Sequence, residues 1–222
     1  MAVNQTQNMN IKIFNVALGL ALTATAISAN AQKAYKEGVV TISTAMQGQQ
    51  VEAKSYFRAD SAAMQFTTGP ATIKILTDAD GKSLVVMVDV PVASIKKAAV
   101  ATPDEVDQAL STLPTLTFAP GTETKVISGF NCKKVVATDT KTNKTYDVWV
   151  TNDVTLPVTG IAKYYRSIGG FPVQYTSFSQ GQSTEVTVKS ITEQKNPAGT
   201  FGIPADFEKI SLDDLKAMSG GR

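Results

Sequence analysis

Histidine is missing from all 222 residues, and cysteine occurs once, at Cys132. Without imidazole the chain can build no Ser-His-Asp or Cys-His triad and no His-ligated zinc site. A single thiol makes no intramolecular disulfide, no thiolate zinc centre and no cysteine-held iron–sulfur cluster. Charged residues make up 18% of the chain and aromatics 7%, with 21 Lys+Arg against 19 Asp+Glu. The net charge of +2 supplies no field for gripping nucleic acid. No basic patch interleaves with the aromatics for base stacking. Hydrophobic runs approaching the ~20 residues of a membrane-spanning helix are also absent. With 43% hydrophobic residues and few charges, the composition suits one globular domain or two very small ones and argues against disorder.

The start of the chain reads as an export signal. After Met9, Lys12 supplies one positive charge, and the apolar run from Ile13 to Leu22 is too short to span a bilayer. Small residues follow, and Ala29-Asn30-Ala31 provides an A-x-A cleavage pattern before Gln32. The alternative is a buried N-terminal helix. Residues 1–31 are expected to be a signal peptide cleaved after Ala31, leaving residues 32–222 as a single β-rich domain. That removes Lys12 and brings the net charge to +1. The residue directly after the cleavage site is Gln32 rather than cysteine, so a lipid anchor is expected to have no attachment point there. The expectation is an exported, periplasmic, monomeric protein with no integral membrane segment in its mature chain.

From Gln32 onward the chain holds 20 Val, 24 Thr and only 8 Leu. β-Branched side chains suit a pleated surface, so the ratio points to sheet. Periodicity agrees. In the stretch 51–58, Val51, Ala53 and Phe57 share one side while Glu52, Lys54 and Arg58 take the other. Tyr146, Val148 and Val150 alternate in the same way, as do residues 185–189. Further strands are predicted around 38–46, 62–68, 71–77, 84–90, 123–128, 130–138 and 171–178. Asp78-Ala79-Asp80-Gly81 and Gly48, Gly129 and Gly181 mark turns, and such short links imply an antiparallel meander. Two helices interrupt it. Thr102-Pro103-Asp104-Glu105 is a capping box with proline at the first helical position, followed by an apolar stripe of Val106, Ala109, Leu110 and Leu113. Ser211-Leu212-Asp213-Asp214 opens a second short helix, ended by Gly220 and Gly221. The fold class is mainly β: a curved antiparallel sheet or half-barrel with one or two short helices over its open face.

Motifs that carry chemistry are few. Ser94-Ile95-Lys96-Lys97 fits S-x-x-K, but no companion motif follows, and a solvated lysine pair is the plainer reading. Asp78 and Asp80 before Gly81 resemble part of a calcium loop, yet its remaining ligands are missing and a polar hairpin tip accounts for them. The carboxylate pairs Asp104/Glu105 and Asp213/Asp214 lie in first helical turns, where the helix dipole favours them. Cys132 is followed by two lysines, which would lower a thiol pKa, but a buried inert thiol is the favoured reading. No catalytic, cofactor-binding or metal-binding residue is assigned, and no cofactor is expected. The aromatic and Met residues are spread over many strands. They include Phe57, Met64, Phe66, Met87, Tyr146, Trp149, Tyr164, Tyr165, Phe171, Tyr175 and Phe178. They either fill the core or line a cavity on the concave face of a curved sheet. Phe57, Met64, Phe66, Met87, Trp149 and Phe178 are the candidate lining residues.

Residues 123–134 (Glu-Thr-Lys-Val-Ile-Ser-Gly-Phe-Asn-Cys-Lys-Lys), Tyr146-Asp147-Val148-Trp149-Val150-Thr151, Gly170-Phe171-Pro172-Val173 and Phe201-Gly202-Ile203-Pro204 carry a resemblance. Their order resembles that of secreted Bacteroidota proteins forming a domain family of unknown function. That family is similar in fold to periplasmic lipoprotein carriers and outer-membrane lipoprotein receptors. The resemblance implies a half-barrel over an apolar cavity, with the helix at 103–113 as part of its lid, and brings no catalytic residues. The expected function is therefore a non-enzymatic periplasmic binding or carrier protein for a lipid or other hydrophobic group. The alternative is an envelope structural or protein-interaction module with a filled core. A histidine-free hydrolase would need two acids, or a serine and lysine, converging in a cleft.

Overall fold

The computed structural model describes residues 32–46, 48–179 and 181–218. The export segment and its Ala29-Asn30-Ala31 site lie outside the described residues, as do Gly220 and Gly221. The fold is mainly β, a large curved sheet that stays open rather than closing into a barrel. A short strand β1 (Lys33–Ala34) precedes a run of six sequential antiparallel neighbours. These are β2 (Gly38–Met46), β3 (Gln49–Phe57), β4 (Ser61–Thr68), β5 (Ala71–Asp78), β6 (Leu84–Val90) and β7 (Ile95–Val100). Helix α1 (Pro103–Ser111) leads to β8 (Leu116–Ile127), β9 (Phe130–Asp139), β10 (Thr145–Thr151), β11 (Val154–Thr155), β12 (Phe171–Ser179) and β13 (Gln182–Glu193). The chain ends in β14 (Glu208–Ile210) and helix α2 (Leu212–Met218).

The two runs join at the middle of the sheet. β13 returns to pair with β2, giving the order β14-β7-β6-β5-β4-β3-β2-β13-β12-β10-β9-β8. Most strand periodicities are realised within a residue or two, and the alternation at 185–189 belongs to the longer β13. Residues 95–100, which include the lysine pair of the S-x-x-K match, form β7, and the strand expected at 123–128 starts seven residues earlier, at Leu116. The meander also has two parallel exceptions, β1 with β11 and β14 with β7. Parallel partners need a long crossover, which a search for tight turns does not reveal. Bulges interrupt the register at Pro120/Thr124, Trp149/Val150 and Val188/Ser190, and each extra residue bends its strand and increases the twist.

Alternation within each strand splits the apolar residues between two faces. On one face, Val40 and Ile42 of β2 stand beside Ala53 and Phe57 of β3 and Val186 and Val188 of β13, forming the first core cluster. Ala63, Leu76, Val85, Met87 and Ala98 form a cluster on the opposite face of β4–β7, packed against Tyr56, Phe201, Ile203 and Phe207. The Phe-Gly-Ile-Pro motif thus seals the outer face. A third cluster joins Ala137, Val148 and Val150 to Tyr165 and Ile168. Among the described residues no helix is long and apolar enough to cross a membrane.

Candidate functional site

The connection from β11 to β12 is the one long excursion between strands of the second run. Residues 156–168 fold into two 3₁₀ turns, Val158–Gly160 and Lys163–Tyr165. The first packs against β3 and β4, where Thr159 donates a hydrogen bond to the carbonyl of Arg58. Tyr165 anchors the second. Its ring is fully buried, and its hydroxyl donates to the carbonyl of Thr176 at 2.9 Å. Edge-on contacts hold it to Tyr164 at 4.8 Å and Tyr175 at 5.4 Å between ring centroids. The Tyr164 hydroxyl accepts from the backbone N–H of Phe178 at 3.1 Å and donates to Ser177 at 3.3 Å. Burial pushes the Tyr164, Tyr165 and Tyr175 phenols above their ordinary pKa, so all three stay neutral at physiological pH. Gly170 ends the connection where space runs out. A Cβ there would lie 2.6 Å from Val150 Cγ1 and 2.8 Å from the Thr151 carbonyl oxygen.

Between this connection and the sheet lies a cavity of about 310 Å³. Its floor comes from Val40, Ile42, Met64, Ile75 and Val188, and its cover from Ile161, Ala162 and Tyr164, with Leu110 of α1 at one side. The volume sits at the low end of the ~300–1,000 Å³ typical of small-molecule sites, and like them it is mostly apolar. Polar groups lie in or around it: Ser55, Thr77 and Tyr175 from the sheet, and Asp78, Lys163 and Arg166.

Of the six residues singled out in the sequence, the structure brings Met64 to the cavity wall. Phe57 is fully buried in the first core cluster, and Phe66 packs against that cluster. Met87 lies on the opposite face, because it follows Val86 by one residue and pairs with Lys74 and Ala98. Trp149 carries the Lys125 ammonium 4.0 Å from its ring centroid, while that ammonium donates to Gln174 at 2.8 Å. Phe178 meets Tyr146 and Tyr164 edge-on and borders a second recess of about 300 Å³ beside Leu113 and Asp139. Residues 156–168, which cover the cavity, have no strand or long-helix pattern. Their signal in the sequence is length, since fifteen residues separate Thr155 from Phe171.

The other motifs resolve simply. Lys96 pairs with Asp206 at 2.6 Å, and Lys97 pairs with Glu208. The lysine of the S-x-x-K match is Lys97, and its ammonium is engaged by the Glu208 carboxylate rather than by Ser94. Asp78 Oδ1 accepts from the backbone N–H of Lys82 at 2.7 Å and Ser83 at 3.3 Å, as a hairpin tip does. Cys132 is 2% exposed, and burial pushes its thiol up to about 11. The neighbouring lysines do not activate it.

No protein-family model matches the chain, and no curated protein matches it. Two crystal structures of PNGF-II are similar to it. One has a TM-score of 0.51 at 15% identity, covering 84% of this chain and 34% of that one. The other has a TM-score of 0.48 at 16% identity, with 82% and 32% covered. The chain spans about a third of the length of those proteins. The first of these likenesses is one of fold.

Proposed function

We propose that the protein is an exported, non-enzymatic binding protein that holds a lipid or other hydrophobic group on the concave face of its sheet. The observation that carries this reading is the apolar cavity of about 310 Å³ roofed by residues 156–168. Its mostly apolar walls and its few polar groups match the make-up of a small-molecule site. The periplasm is the proposed location, on the strength of the export signal, and carriage between envelope sites is the proposed role. Carriage requires reversible binding. A site covered by a connection rather than by the sheet itself can open without breaking strand pairing.

The test is binding of a neutral fluorescent probe, phenylnaphthylamine, to the protein and to Ala62→Phe. Ala62 borders the cavity and is 9% exposed, so the added ring occupies the space. Saturable binding by the protein and negligible binding by the variant, with both folded by circular dichroism, supports the reading. No saturable binding by the protein, together with native mass spectra free of any co-purified hydrophobic species, overturns it.

An interaction module is the second reading, and one observation favours it. β8 is a twelve-residue strand at the edge of the large sheet, with Val126 67% exposed. A long edge strand offers unpaired backbone groups to another chain.

A further inference from the structure

We infer that the group held in this cavity belongs to an amphiphile with an anionic head, seated between Lys163 and Arg166 at the mouth. This rests on the binding reading above and adds the chemical class of the ligand. Lys163 opens the second 3₁₀ turn and Arg166 caps it, its N–H bonded to the Lys163 carbonyl. Side chains three apart in a 3₁₀ turn eclipse one another, so the two cations project to the same side. Both border the cavity and both are exposed. Among the described residues neither forms an ion pair, although seven other cations of the chain do. Asp78 is the single carboxylate bordering the cavity, and its Oδ1 is already engaged by two backbone N–H groups. The mouth therefore keeps a net positive charge in a protein that is nearly neutral overall.

The interior completes the match. Its apolar walls give a head group no counter-charge, so a charged end must stay at the rim. Tyr175 borders the cavity, and among the described residues its hydroxyl has no hydrogen-bond partner, which leaves one neutral donor for an oxygen near the head. At roughly 30 Å³ for a water or a methylene-sized group, the volume takes about ten carbons. The fitting molecule is a medium-length acyl or alkyl chain ending in a carboxylate or phosphate.

Competition against phenylnaphthylamine tests this with decanoate, decyl phosphate, decanol and decyltrimethylammonium. Exposed ion pairs are individually weak, so two of them predict a roughly 3- to 10-fold preference for either anion over decanol at low salt. The preference should disappear near 1 M salt, where the screening length falls to about 3 Å. It should also disappear in the Lys163→Gln/Arg166→Gln double variant and persist in Lys163→Arg and in Lys209→Gln, a lysine exposed on β14. Decanoate against decyl phosphate then distinguishes a fatty acid from a phospholipid-type head. Equal competition by decanol, or better competition by decyltrimethylammonium, overturns the inference while leaving the binding reading intact. A probe that does not bind the protein saturably overturns both.

Discussion

Replacing Tyr165 by phenylalanine or alanine measures how firmly the cover of the cavity is packed. The side chain is fully buried, donates one hydrogen bond to Thr176 and contacts two other tyrosines edge-on. Tyr165→Phe keeps the ring contacts and removes the donor, a loss of about 1–1.5 kcal/mol for a net buried hydrogen bond. Tyr165→Ala removes the ring as well and leaves a cavity, for a total of about 3–5 kcal/mol. In a domain of this size each kcal/mol lowers Tm by about 2–4 °C. The expected shifts are about 2–6 °C for phenylalanine and about 6–20 °C for alanine, read by circular dichroism during thermal unfolding. Because Tyr165 joins residues 156–168 to β12, the alanine variant should also release bound phenylnaphthylamine faster than the parent. Refutation is direct: Tyr165→Ala costing no more than the ~0.5 kcal/mol of an ordinary surface substitution means that this connection is not packed on the sheet.

Two further outcomes are expected. Cys132 should resist thiol reagents at neutral pH and react only on unfolding or in strong base, as stopped-flow labelling would show. Its folded pKa of about 11 lies above the ordinary 9.0, so the folded state favours the protonated thiol. That stability is complete below pH of about 9 and lost as pH rises through about 11, and an alkaline unfolding titration that shows no decline in this window contradicts the burial. Gly170→Ala should cost about 1–3 kcal/mol by overpacking against Val150 and the Thr151 carbonyl, and urea unfolding reads it as a lower midpoint at unchanged slope.

Local physics made much of the fold legible. Alternation placed Val51, Ala53 and Phe57 on one side of a strand because side chains in a pleated backbone point to opposite faces regardless of context. The capping box was legible for a similar reason. Thr102 and Glu105 satisfy each other's backbone donors across three residues, at 2.7 Å and 3.4 Å, so no distant group is needed. Helix α1 stops at Ser111, two residues before Leu113, the last of the apolar stripe, and of that stripe Val106 is buried and Leu110 reaches the cavity. The candidate lining set shows the limit. Phe57, Met64 and Met87 are equally apolar in the sequence, but whether an apolar residue fills a core, faces a cavity or seals the outer face depends on which strands are neighbours.

A mainly β chain without imidazole chemistry, the positions of most strands and the start of α1 all follow from residue type and spacing within a few positions. The return of β13 to β2, the cover that Phe201, Ile203 and Phe207 give the outer face, and the roof of residues 156–168 over a cavity with Lys163 and Arg166 at its mouth are set by long-range folding. Each of these joins residues far apart in the chain. Their pairing is fixed by the register of a twelve-stranded sheet, which no local pattern encodes.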